Sequence, residues 1–352
     1  MNYMGIDHHK QYSQMTLMDE RGEVIRSGRV ANVRDEVERF IGGMKEIKAV
    51  IEAGRSSYTM VDLLEEMGVE VTMAHPKEVK SIARAKVKTD KRDSAVLAHL
   101  LRTDFIPEVY RRTRENRGHQ RVLRQRAFYV KSMTRVKNRI RALLAQQVEE
   151  IRQEVSREKN IFGKKGLAVL RGLNLPEGEK KLIHALLRTY GHLEDRIAET
   201  GSLVEKLYEE LPAAQLIQTV LGFGVFLSVL TAVEIADINR FTDAGEFHAY
   251  AGVIPSTHSS GGKVYHGKIA KEGNGWLRWA AVEAVWPGIR ADYDLHYYYE
   301  RLKKKKGANS AKVATARRLL TIIYRMLKEN RSYIPYKKMI RKKSADYFPG
   351  PP

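Results

Sequence analysis

The hydrophobic pattern of the first hundred residues switches repeatedly between a period of two and a period near 3.6. Residues 3–7 read as a short strand, and residues 15–18 and 24–30 as two more, joined by the turn Asp19-Glu20-Arg21-Gly22. Val37, Phe40, Ile41 and Met44 fall on one helical face. Residues 48–53 form an apolar strand that contains Glu52, and Val61, Leu64 and Met67 mark a second helix stopped by Gly68. Residues 69–74 are a further strand, and a helix is expected from about 91 to 102. Three strands, helix, strand, helix, strand, helix is the order of a ribonuclease-H-like mixed sheet.

Beyond residue 110 the period becomes seven. Val122, Tyr129, Val136 and Leu143 repeat, with Met133 and Ile140 three positions before the last two; later Ile183, Tyr190, Ile197, Val204 and Leu211 repeat with Leu186, Leu193 and Leu207. Two such helices around the Gly-containing stretch 162–178 predict an antiparallel or intersubunit coiled coil. From about Thr219 a mostly helical unit follows. Its Leu221-Gly222-Phe223-Gly224 is expected as a tight turn between two helices, residues 246–254 lead into a Gly/Ser-rich loop, and residues 275–284 are expected as a helix. The reading is therefore α/β plus α, in four parts: 1–110, 111–215, 216–335 and a basic tail 336–352.

Charge sharpens this picture. The 352 residues carry a formal charge of +20, a self-repelling surface that a polyanion would neutralise, and nucleic acid is the usual one. Twelve Arg and Lys lie between 111 and 141, opposed only by Glu115. A solvated helix face normally mixes signs, so a one-sign stripe favours a phosphate-tracking surface that includes Arg135, Lys137, Arg139 and Arg141. No 18-residue apolar run argues for a membrane partner. The opening MNYMGID is strand-like and lacks the pattern of a secretion signal, and the absence of cysteine fits the cytoplasm. Without thiolates, any metal is held by oxygen or imidazole, which favours a hard ion such as Mg²⁺.

Two clusters carry candidate chemistry. Asp7 and Glu52 sit at the ends of two strands expected to be neighbours, while Asp90 and Asp93 share one face at the start of a helix. Four converging carboxylates would repel each other without metal and suit phosphodiester chemistry with it; singly, each is more often a cap or a surface acid, and Asp90 could cap its helix. The second cluster is Pro255-Ser256-Thr257-His258-Ser259-Ser260-Gly261-Gly262-Lys263. Read plainly it is a surface loop; read chemically, its glycines allow close approach to a phosphate that Ser260 could attack. Lys263, Lys268, Lys271 and Arg278 follow closely and could hold phosphates, and His258 could serve as a base.

These motifs resemble the DEDD transposases of bacterial insertion sequences, the group that also contains the Piv-type DNA invertases. GIDHHK, VIEAG and KTDKRDS supply Asp7, Glu52, Asp90 and Asp93; EIADINRF and FHAYAGVIPSTHSSGGKVYHGKIAKEGNGWLRWA supply the second half. One departure is Leu221-Gly222-Phe223-Gly224, where relatives often carry a Pro-Gly-Ile-Gly type hairpin. The resemblance implies a RuvC-like first domain whose four acids bind Mg²⁺. It implies a C-terminal serine, Ser260 or less plainly Ser259, that links covalently to DNA. It also implies homo-oligomers (dimer or tetramer), donor and target DNA as substrates, a structured bridge RNA as guide, and a nucleoid-associated bacterial protein. The competing expectations are a RuvC-like metal-dependent nuclease, a DNA invertase, and a non-catalytic nucleic-acid-binding protein on a retired nuclease fold.

Overall fold

The structure is a computed structural model that describes residues 1–83, 89–260, 263–269 and 272–335; the side chains of 257–260, 263–266 and 268 also lie outside the described set. Two compact units divide the chain, Met1–Arg114 and Glu115–Pro352.

In the first unit the expected α/β order is present. β1 (Asn2–His8), β2 (Tyr12–Met18), β3 (Val24–Ala31), β4 (Ile47–Glu52) and β5 (Glu70–Ala74) form one sheet in the order β3-β2-β1-β4-β5. The β1–β2 and β2–β3 pairs are antiparallel, and β1–β4 and β4–β5 are parallel. Helix α1 (Arg34–Ile41) is shorter than the apolar pattern implied: Gly42 takes a left-handed conformation (φ 62°) and ends it before Met44. Helix α2 is Ser57–Glu66. One face of the sheet buries Met4, Ile6, Met15, Leu17, Ala49 and Ile51 against residues of α1 and α2.

The other face carries α3 (Pro76–Ile82) and α4 (Asp90–Arg102). α3 was not legible in the pattern, because its only buried residue is Val79. Here Gly5 is decisive. A Cβ on Gly5 would stand 1.9 Å from the Ser94 carbonyl oxygen and 2.5 Å from the Ala98 nitrogen, so only glycine lets α4 lie directly on β1. The Thr16 and Ser94 hydroxyls, 2.8 Å apart and buried, fix the same contact.

The second unit begins with two long helices, α5 (Arg114–Leu144) and α8 (Glu177–Glu210), separated by α6 (Glu149–Ser156) and α7 (Lys164–Gly172). Leu123 clusters with Val204 and Leu207, whereas Ile140 and Leu144 cluster with Ile183 and Leu187, so the two helices run antiparallel. On α8 the heptad residues Ile183, Tyr190, Val204 and Leu207 are buried. On α5 the buried seam is Leu123, Ala127, Ile140 and Leu144, and Val122, Tyr129 and Val136 are only half-buried. A straight 3.6-residue helix drifts from a strict seven-residue repeat.

A helical bundle completes the unit: α9 (Pro212–Gln218), α10 (Val225–Ile235), α11 (Ala244–Ala251), α12 (Gly275–Ala291), α13 (Tyr293–Lys306) and α14 (Ala308–Glu329). Gly222 makes the expected turn at φ 109°, and a Cβ there would meet the Ala284 carbonyl oxygen at 2.4 Å. Instead of a loop, the Ser/Gly-rich stretch forms a hairpin, β6 (Pro255–Ser260) antiparallel to β7 (Lys263–Ile269). β7 carries Val264, Tyr265 and Ile269, the β-branched and aromatic types that favour a strand, whereas β6 has only Thr257 of these. Among the described residues no helix is long and apolar enough to cross a membrane.

Candidate metal centre and serine hairpin

The sheet register builds the acidic cluster. Ile6 pairs with Ile51 across the parallel β1–β4 ladder, so Asp7 and Glu52 are the next residues on adjacent strands. Alternation puts Asp7 on the same face as Gly5, and Glu52 on that of Val50. This is the face covered by α4, since Val50 clusters with Leu97 of that helix. The N-cap of α4 is Thr89, whose side chain accepts from the Arg92 amide, rather than Asp90. Asp90 and Asp93 are thereby placed in the first turn, over the carboxyl ends of β1 and β4.

Asp7, Glu52 and Asp93 line a single cavity of about 480 Å³, with Lys77, Lys80 and Arg92 around it. Asp90 does not line this cavity and meets His9 instead. His9 Nε2 is 3.1 Å from Asp90 Oδ2 and 3.5 Å from Asp7 Oδ2, and the Tyr12 hydroxyl donates to Asp90 at 3.4 Å. Asp7, His9 and Asp90 each offer one donor atom within 4.8 Å of the others. The donor set of carboxylate oxygens with one imidazole fits a divalent cation, and Asp7 is common to both groupings. His9 was missed in the sequence. Its signal was the alternation Asp7-x-His9, which puts both on one face of an extended chain. Neighbouring His8 is held differently: Nδ1 lies 2.9 Å from the Ser13 hydroxyl, and burial pulls its pKa below the ordinary value.

In the second unit the backbone of Ser260 ends β6, paired with Lys263 of β7, and Lys268 lies further along β7. The side chains of Ser259, Ser260, Lys263 and Lys268, and the whole of Lys271, lie outside the described residues, as does the tail 336–352. Arg278 is described: its guanidinium donates to the Ala251 and Gly252 carbonyls at 3.4 Å, bracing the end of α11.

The helical bundle of the second unit holds a further residue that the sequence pattern did not single out. Glu234 is fully buried on α10. Its carboxylate accepts from Gln120 Nε2 at 2.8 Å, Arg124 at 2.8 Å and Asn274 Nδ2 at 2.8 Å. The backbone N–H of Asn274 also donates to the Tyr250 carbonyl, and its Oδ1 caps α12. The basic helix α5 and the N-cap of α12 are thus joined through one carboxylate, and Asn274 in turn bonds to Tyr250 at the end of α11.

On α5 the cationic stripe divides. Arg117 is buried, Arg124 pairs with Glu234, and Arg126 lies over the Phe226 ring. Arg135 and Arg139 are exposed. Lys137 and Arg141 stand over the Phe162 ring at 5.4 and 5.2 Å.

The fold and cluster define a class, α/β proteins with acids gathered at the carboxyl edge of a mixed sheet. Within it, residues 4–148 match the family model of the DEDD transposases of IS110 type, and residues 214–300 match the transposase family IS116/IS110/IS902. The chain belongs to this family of insertion-sequence transposases, whose members are DNA-cleaving and -joining enzymes. It is 26% identical over 339 residues to the transposase for insertion sequence element IS1111A of Coxiella burnetii, covering 94% of this chain and 90% of that one. A probable family 20 transposase of Pseudomonas aeruginosa is 24% identical over 95% of this chain and 99% of its own length. The transposase for insertion sequence element IS1328 of Yersinia enterocolitica is 21% identical over 86% of each.

Proposed function

We propose that this chain cuts and rejoins DNA as an insertion-sequence transposase, with Ser260 as nucleophile and Asp7, Glu52, Asp90 and Asp93 as ligands of Mg²⁺. One observation carries the metal assignment: three of these carboxylates meet Lys77, Lys80 and Arg92 in one cavity at the strand ends. Oxygen donors on rigid elements suit a hard ion, and the surrounding cations suit a phosphate beside it. When bound, the ion polarises the phosphoryl oxygens and offsets charge that develops at phosphorus.

In the cleavage step Ser260 Oγ gives up its proton to a base and bonds to phosphorus. The bond from phosphorus to the leaving sugar oxygen breaks, and that oxygen takes up a proton. One phosphodiester replaces another, so attack by a second sugar hydroxyl can rejoin DNA without an energy source. Ser259 is the alternative nucleophile. Lys263, Lys268, Lys271 and Arg278 would bind neighbouring phosphates. Arg135, Lys137, Arg139 and Arg141 would track the backbone of donor or target DNA or of a bridge RNA, a role the charge of +20 supports. The active form would be a homo-oligomer, dimer or tetramer, and inversion would use the same strand chemistry as transposition.

The cavity also favours one second reading, a RuvC-like nuclease in which water is the nucleophile. A suicide DNA substrate separates them. Wild type and Ser259→Ala should form a covalent protein–DNA adduct, while Ser260→Ala, Asp7→Asn and Asp93→Asn should not. An adduct from Ser260→Ala refutes the serine assignment; hydrolysed ends with no wild-type adduct establish the nuclease.

A further inference from the structure

The end of α12 and the start of α13 form a cleft of about 440 Å³ that the chemistry above does not use. Trp286 and Arg290 line it from α12, and Tyr293, His296, Tyr299 and Lys303 from α13. Of the six exposed Phe, Tyr and Trp side chains among the described residues, two line the cleft, Trp286 and Tyr293, 43% and 56% exposed, and a third, Tyr297, 59% exposed, follows one turn further along α13. Tyr293 and Tyr297 are four residues apart, hence on one face of α13. Trp286 is steadied by an edge contact to the buried Tyr299, with ring centroids 5.5 Å apart.

Cations rim these rings. Lys312 Nζ stands 5.6 Å over the Trp286 ring and Lys303 Nζ 5.8 Å over that of Tyr299, and Lys304, Lys305 and Lys306 continue from Lys303. The acids nearby are engaged. Glu300 pairs with Lys303 at 3.2 Å, and the buried Asp292 accepts from the Tyr333 hydroxyl. Exposed rings flanked by unbalanced positive charge match an unpaired polynucleotide, whose bases stack and whose phosphates need cations. A duplex hides its base faces, and a second copy of this face would set lysine against lysine.

We propose that this cleft and the adjoining face of α13 bind unpaired nucleotides of a single strand by stacking on Trp286 and Tyr293 and on the neighbouring Tyr297. The site shares no residue with Ser260 or the acidic cluster and does not depend on their roles. Its test is fluorescence anisotropy of the full chain with labelled oligo(dT), oligo(rU) and a blunt DNA duplex at one salt concentration. The double variant Tyr293→Ala/Tyr297→Ala should weaken single-strand binding about tenfold or more and leave duplex affinity within twofold. Tyr293→Phe/Tyr297→Phe, which keeps the rings, should bind as wild type does. A larger loss on oligo(rU) or on oligo(dT) assigns the strand as RNA or DNA, and either supports the site. Single-strand loss under threefold, or an equal loss on duplex, overturns it. So does a change in sedimenting mass without loss of strand affinity, which would mark a contact between copies.

Discussion

Asn274, the N-cap residue of α12, donates its side-chain amide at 2.8 Å to the fully buried carboxylate of Glu234. The same side chain caps α12 through Oδ1, accepting from the Trp276 and Leu277 amides at 3.0 and 3.1 Å. Its two ends thus serve different purposes: one starts a helix, and the other ties that helix start to a charge that α5 also holds.

Substitution can separate these purposes. Asn274→Asp keeps a good N-cap but turns a donor into a second carboxylate facing Glu234, whereas Asn274→Ala loses both contacts. A cap is worth about 1 kcal/mol, and setting a like charge against a buried carboxylate costs roughly 2–3 kcal/mol. Asn274→Asp should therefore be the less stable of the two in denaturant melts, with the faster amide exchange across 253–269. If capping were the whole role, the order would reverse.

Gly5 gives a second test. Gly5→Ala places a methyl group against the backbone of Ser94 and Ala98, which cannot yield without moving α4. The cost should exceed about 3 kcal/mol, and calorimetric Mn²⁺ binding should weaken, because Asp90 and Asp93 travel with the helix. Gly118→Ala is the control. It lies inside α5 with nothing within 4 Å of the added carbon, and should stabilise by about 0.5–1 kcal/mol. Unchanged metal affinity in a folded Gly5→Ala variant would mean that α4 does not set the ligand geometry.

His248 on α11 predicts an acid limb. Burial first, and Arg317 second, lower its pKa from 6.5 to about 4, with Asp243 opposing; its Nε2 lies 3.0 Å from the Thr321 hydroxyl. Between pH 6.5 and 4 the unfolded chain binds a proton that the folded chain does not. Stability from this group is therefore full above 6.5, falls as pH drops toward 4, and levels off below. The loss should be about 3 kcal/mol. His248→Gln should remove that component, so the difference between the two melting curves should grow with pH across this window. A constant difference refutes the assignment.

How much of this was legible depended on whether an element carries its own pattern. The apolar runs of β1 and β4 each end in an acid, so the register that sets Asp7 beside Glu52 could be read from the chain. Helix α3 could not, since it buries one residue, yet it brings Lys77 and Lys80 to the cavity. The serine hairpin was taken for a loop because serine and glycine are weak strand formers. Glu234 did leave a mark, a lone acid in the apolar stretch Val225–Ile235. What it pairs with, more than a hundred residues away on α5, is a fact of packing that no local pattern encodes.

The cations of α5 now divide into two testable pairs. Arg135 and Arg139 are exposed, so charge is what they offer a phosphate backbone. Lys137 and Arg141 also lie over the Phe162 ring, which stacks on Tyr190 at 5.7 Å where the two long helices meet α7. Arg135→Gln/Arg139→Gln should reduce the slope of log affinity against log salt by about two for duplex DNA and leave the melting temperature unchanged. Lys137→Gln/Arg141→Gln should reduce the slope similarly and cost about 1 kcal/mol or more of stability, because each cation–π contact at a half-exposed site is worth roughly 0.5–1 kcal/mol. Equal melting temperatures for the two variants would mean that the ring contacts add nothing. An unaltered salt slope in both would move the polyanion off this helix.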